Sequence, residues 1–216
     1  TSFGTTSFQL VVNPLPTATI SGSTTICSGT DAVITFNGTP NATVTYTVGG
    51  GPNQTIVLDA TGTNSLTTPT LTSNSIYTLV SVVNTTTTCG RLVSGSATVT
   101  VRQLPTATIA GTTTVCQNAA SPSITFTGAN GTAPYTFNYT INNVAQPPLT
   151  TVSGNSITVT APTNLAGSFA YSLVSVQSSG TPACSQNQTG TATITVNPLP
   201  TATISGTISA CLNDPE

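Results

Sequence analysis

Histidine, lysine, methionine and tryptophan are absent from the 216 residues. The basic side chains are Arg91 and Arg102 alone, and the acids are Asp31, Asp59, Asp214 and Glu216. Binding to nucleic acid or to an anionic membrane face needs clustered Lys or Arg, so this chain is expected to do neither. Serine and threonine abound, but nucleophilic catalysis needs a base beside the nucleophile, and neither His nor Lys is there to supply one. Glycoside hydrolysis needs two carboxyl groups at one site. No acid lies between Leu104 and Val196, so acids cannot form a site common to the chain. A calcium site usually takes more than one carboxylate, and Asp31 in Gly29-Thr30-Asp31 reads more simply as a turn residue. The expectation is of no enzyme, no cofactor and no metal. Lysine-to-asparagine isopeptide staples are excluded with the lysines. No apolar run is long enough to span a bilayer, and no secretory leader is recognisable.

Against these absences stands a repeat. Leu-Pro-Thr-Ala-Thr-Ile occurs at Leu15–Ile20, Leu104–Ile109 and Leu199–Ile204. Cys27, Cys116 and Cys211 each follow the leading Leu by the same twelve residues, and Cys89 and Cys184 each precede the next copy by fifteen. The periods, 89 and 95 residues, are of domain length and well above those of solenoids. The expected organisation is residues 1–12 as the last strand of a preceding repeat, 15–101 and 104–196 as complete repeats, and 199–216 as the start of another. The whole reads as a window on a longer secreted protein. The connectors Asn13-Pro14-Leu15-Pro16, Arg102-Gln103-Leu104-Pro105 and Asn197-Pro198-Leu199-Pro200 carry Pro and no Gly, which makes them stiff.

Within each repeat, Val, Ile, Leu, Phe and Tyr alternate with Thr and Ser, the pattern of half-buried strands. Strands are expected in the first repeat at Thr17–Ile20 (continuing to Ile26), Ala32–Asn37, Thr43–Val48, Thr55–Leu58, Ser65–Thr68, Ile76–Asn84 and Ser96–Arg102. Gly/Asn/Pro turns separate them. The second repeat follows the same plan. About seven short strands in roughly 90 residues predict an all-β chain of tandem immunoglobulin-like antiparallel sandwiches in a rod-like array. The predicted core of the first is Ile20, Val33 or Ile34, Phe36, Val44, Tyr46, Ile56, Leu66, Tyr77, Leu79, Val99 and Val101.

Five cysteines at regular spacing with no acid or base nearby read as disulfides in an oxidising compartment. The repeat suggests the pairs Cys27–Cys89 and Cys116–Cys184, each stabilising its sandwich by roughly 4 kcal/mol. Cys211 would pair within a further repeat. Most aromatic residues fall at strand positions and are expected in the core. Tyr135 and Tyr139 are the best candidates for exposure on a sugar-binding face. Asn-x-Ser/Thr occurs at Asn37, Asn41, Asn53, Asn84, Asn130, Asn138 and Asn187, as chance alone gives in a chain so rich in Asn and Thr.

The run Val196–Thr207, with Cys following the Thr/Ser stretch and Tyr-Ser-Leu-Val-Ser-Val (Tyr171–Val176) before the second Cys, resembles the repeats of SprB-like gliding adhesins. Other repetitive surface cargo of the type IX secretion system of Bacteroidota is similar. That resemblance implies Ig-like, PKD-like repeats, export to the exterior of the outer membrane, and a role in surface contact, gliding or filament formation. The partners to expect are neighbouring repeats, fibres associating laterally through uncharged Thr-rich faces, and surface polysaccharide or substratum. The competing expectation is an accessory carbohydrate-binding module of a secreted multidomain hydrolase.

Overall fold

A computed structural model describes residues 9–206. Two β-sandwiches follow one another. The first is built from β1 (Ala18–Ser21), β2 (Thr24–Cys27), β3 (Val33–Gly38), β4 (Ala42–Val48), β5 (Gln54–Val57), β6 (Thr63–Thr67), β7 (Ser75–Asn84), β8 (Gly90–Leu92) and β9 (Ser96–Arg102). One sheet has the order β1-β3-β6; the other runs β2-β9-β7-β4-β5, with β8 paired to β7. The second sandwich comprises β10 (Thr106–Ala110), β11 (Thr113–Cys116), β12 (Ser123–Ala129), β13 (Tyr135–Ile141), β14 (Val144–Ala145), β15 (Leu149–Thr150), β16 (Ser156–Thr160), β17 (Gly167–Ser178), β18 (Ser185–Asn187) and β19 (Thr191–Asn197). Its sheets repeat the plan, as β10-β12-β16 against β11-β19-β17-β13-β14. A three-stranded sheet facing a larger one, with every pair antiparallel except β2–β9 and β11–β19, is an immunoglobulin-like sandwich.

Alternation builds the core. In β4, Ala42, Val44 and Tyr46 point inward while Thr43, Thr45 and Thr47 line the outer face. The first core gathers Ile34, Phe36, Val44, Tyr46, Tyr77, Leu79, Val82 and Val99, with Ile20, Ile56 and Leu66 partly buried against it. Of the alternatives Val33 and Ile34, the pleat buries Ile34 and leaves Val33 half exposed. The second core stacks aromatics. The Phe126 ring lies 5.0 Å from Tyr139 and 5.8 Å from Phe137.

One departure from the sequence reading shapes the molecule. The stretch from Thr17 to Ile26 is not one strand but two, in different sheets. The break falls at Gly22, whose φ of +109° suits only glycine and whose missing Cβ lets the chain lie against Val33 O and Ile34 Cα. Beyond it β2 crosses to the other sheet and pairs in parallel with β9, Cys27 opposite Arg102. Gly111, at φ +123°, makes the same crossing in the second sandwich, which brings Cys116 opposite Asn197. The short strands β8 and β18, which fold back on the ends of β7 and β17, were also not anticipated.

Residues 9–12, expected to close a preceding repeat, and residues 199–206, expected to open a following one, carry no strand. The rest of those two expected segments, with Cys211, Asp214 and Glu216, lies outside the described residues. No helix of the described residues is long and apolar enough to cross a membrane.

Candidate functional site at the junction between repeats

The parallel pairing of β2 with β9 decides where the cysteines can bond. β9 leaves the first sandwich towards the second, so Cys27, level with Arg102, sits at the exit pole. β7 runs the other way. Its first residue, Ser75, pairs with Val99, and its last, Asn84, donates its N–H to Cys89 O at 2.8 Å. Cys89 therefore lies at the entry pole, a strand length away from Cys27, or about 40 Å at some 3.3 Å per residue. A disulfide needs Cα atoms within about 7 Å. The expected bond Cys27–Cys89 is thus ruled out by geometry, and Cys116–Cys184 by the same geometry one repeat on.

Cys27 instead bonds to Cys184 across the junction, with Cα atoms 5.6 Å apart and 157 residues between them in sequence. Cys184 follows β17 at the entry pole of the second sandwich, its carbonyl accepting from Ser178 N at 2.9 Å. It is buried, and the bond it makes belongs to an oxidising, non-cytoplasmic compartment. Among the described residues Cys89 and Cys116 have no partner; Cys116 is exposed and Cys89 half-buried.

Beside the disulfide Arg102 reaches across the same junction. Its Nη2 donates to Ser179 O at 2.6 Å and to Thr132 Oγ1 at 3.2 Å. Charge-assisted bonds of this kind are stronger than neutral ones. Its own carbonyl accepts from Ser28 N at 2.8 Å, so one residue ties the end of β9 to the loop after Cys27 and to two loops of the next repeat. Gly180 makes room for it. Its φ is +118°, and a Cβ there would overlap the guanidinium. The connector Gln103-Leu104-Pro105 is only three residues long between β9 and β10. Pro105 is buried, and Leu104 is half-buried where Leu15 is 60 % exposed. Arg102, Thr132, Ser179 and Gly180 were missed from sequence. The available signal was that Asn13 and Asn197 stand at the positions equivalent to Arg102, one of two cations in the chain.

Elsewhere the expected sugar platform does not form. Tyr135 and Tyr139 both point inward, 1 % and 8 % exposed, because they alternate with outward-facing Thr136, Asn138 and Thr140 in β13. Burial pushes the Tyr139 hydroxyl above its ordinary pKa. The outer face of the second sandwich instead carries a cleft of about 640 Å³ lined by amides and hydroxyls of Asn138, Ser175, Gln177, Ser185, Gln186 and Asn187. Their register equivalents in the first sandwich are Thr45, Ser81, Val83, Gly90, Arg91 and Leu92, so this lining of amides and hydroxyls is not repeated there. Asp31 is exposed. Asp59 is occupied by its own turn, accepting from Thr61 N, Thr61 Oγ1 and Thr63 N at 2.8, 2.7 and 2.9 Å. These bonds, the Thr61 side chain's first, hold its carboxyl below the ordinary range.

No family model matches the sequence, and no curated protein matches it. Among solved structures the chain is similar to the fibronectin(III)-like modules of Clostridium thermocellum CbhA. The identity is 15 %, covering 88 % of this chain and 100 % of that one, with a TM-score of 0.36. It is also similar to the teleost fish polymeric Ig receptor ectodomain, at 12 % identity over 86 % of this chain and 100 % of the other, with a TM-score of 0.32.

Proposed function

We propose that this chain is a structural repeat segment of a long secreted cell-surface adhesin or extracellular filament, displayed on the exterior of the outer membrane and serving adhesion and gliding. The observation that carries the reading is the junction. Consecutive sandwiches are joined by a three-residue Pro-bearing connector, a disulfide from one repeat to the next and an arginine clamp. Independent modules on flexible tethers have no use for such a staple; a rod needs its units held in line. The near-absence of charge supports lateral packing of such rods through Thr-rich sheet faces, since few charges guard the edges. The chain's work is mechanical and adhesive, with no catalytic step. The accessory-module reading finds no support in an aromatic platform, because the strand aromatics among the described residues are buried or half-buried.

Negative-stain electron microscopy of native surface material tests the proposal. Long beaded fibres with an axial repeat near 40 Å, set by about 3.3 Å per strand residue, are the expected result. Compact particles, or a globular body with a short tail, would overturn it.

A further inference from the structure

The bond between Cys27 and Cys184 joins the first cysteine of one repeat to the second cysteine of the next. We infer that it is one rung of a ladder that recurs along the array: Cys116 bonds to the second cysteine of the repeat that follows, and Cys89 to the first cysteine of the repeat that precedes. The inference rests on the array reading above and adds to it a covalent connectivity.

Three observations carry it. First, the free cysteines occupy the same places as the bonded ones. Cys116 pairs in register with Asn197 as Cys27 does with Arg102, and Cys89 O accepts from Asn84 N as Cys184 O does from Ser178 N. Second, the two thiols that are free among the described residues are each more exposed than their bonded counterparts. Cys27 is half-buried and Cys116 exposed; Cys184 is buried and Cys89 half-buried. The connector follows suit, Leu104 being half-buried and Leu199 51 % exposed. Third, the motif restarts at Leu199, so a repeat begins where the partner of Cys116 has to come from. No partner lies within reach among the described residues, because Cys89 is at the entry pole of the first sandwich and Cys116 at the exit pole of the second. The clamp need not recur with the staple. Asn13 and Asn197 replace Arg102, and Thr86 in the loop before Cys89 stands where Gly180 makes room for the guanidinium. The sulfur bond is therefore the element that successive junctions share.

Each rung forms from two thiols. One S–S bond is made, and two electrons and two protons pass to the disulfide of a dithiol–disulfide oxidoreductase by exchange.

Disulfide mapping of the native full-length protein is the test. Surface material is alkylated without reduction, digested, and its cross-linked peptides identified by mass spectrometry. The peptide containing Cys116 is expected to be joined to a cysteine of another repeat at the position that Cys184 holds in this one. Finding Cys116 alkylated, or bonded to Cys184, overturns the ladder. A Cys116→Ser variant adds a check: it should release one alkylatable thiol in the following repeat and leave Cys27–Cys184 intact. No new thiol in that repeat would count against the inference. Free Cys116 in material that still shows beaded fibres sinks the ladder alone, whereas a mapped ladder without fibres sinks the filament reading alone.

Discussion

Removing the staple should destabilise both sandwiches at once, and by an amount the chain length sets. The bond closes 157 residues of sequence, which contain β3 to β17. On the chain-entropy model such a link raises the free energy of the unfolded chain by about 5 kcal/mol. The cleanest perturbation is Cys27→Ser with Cys184→Ser, which leaves no stray thiol at the junction. With an m-value of about 2 kcal/mol/M in urea for a chain of this size, the midpoint should fall by roughly 2.5 M. With no tryptophan, the assay is circular dichroism, or emission from tyrosines buried in both cores. Reductant should move the wild type onto the curve of the double variant and leave the double variant where it is. The unlinked protein should also unfold in two separate steps, since nothing covalent beyond the connector then couples the repeats. An unchanged midpoint would refute the reasoning. So would an equal fall on Cys89→Ser in these 216 residues taken alone, which is what pairing within the repeat requires.

Three further outcomes follow from particular residues. Gly180→Ala should cost the second repeat about 1–3 kcal/mol through backbone strain and displacement of Arg102; calorimetry reads it, and an equal cost in an Arg102→Ala background would mean the guanidinium is not there. Asp59 has a folded pKa below its unfolded value, so its contribution is present above about pH 4 and lost as pH falls through the folded pKa. The first repeat, but not the second, should therefore weaken in acid through this group, and Asp59→Asn should flatten that part of the profile; thermal unfolding from pH 6 to 2 with the same slope in both proteins would discard the idea. Phe126→Ala removes a fully buried ring packed against Phe137 and Tyr139, and should cost the second repeat about 3–5 kcal/mol by urea unfolding. A loss below about 1 kcal/mol would mean that the ring is not packed as described.

The sandwich was legible because Thr and Ser alternate with large apolar residues at the two-residue period of a strand, and Phe36, Val44, Tyr46, Leu79 and Val99 all face inward as that period dictates. Tyr135 and Tyr139 obey the same rule, and their expected exposure ignored it. The cysteine pairing was not legible. Spacing within a repeat gives sequence distance, while bonding depends on which pole a residue occupies. The pole of Cys27 was set by a crossing at Gly22 that turns one apparent strand into two. Nothing in Thr17–Ile26 except that glycine announces the change of sheet. The Arg102 clamp escaped for another reason, since its partners Thr132 and Ser179 come from two loops that only the tertiary fold brings together.

Tension applied along the chain would enter at Leu15, pass from Cys27 through the sulfur bond to Cys184, and leave at Asn197. The intervening backbone, which holds nearly all of both sandwiches, carries none of that load once the two repeats begin to yield. In a laddered array only 27 residues of backbone separate one rung from the next on the same path, from Cys89 to Cys116 or from Cys184 to Cys211. Fully drawn out at about 3.4 Å per residue, that segment measures roughly 90 Å. Two folded repeats at some 3.3 Å per strand residue already span about 80 Å. A fibre so connected could have every sandwich pulled open and hardly lengthen, behaving as a rope of fixed length whose folded domains are spared from acting as springs.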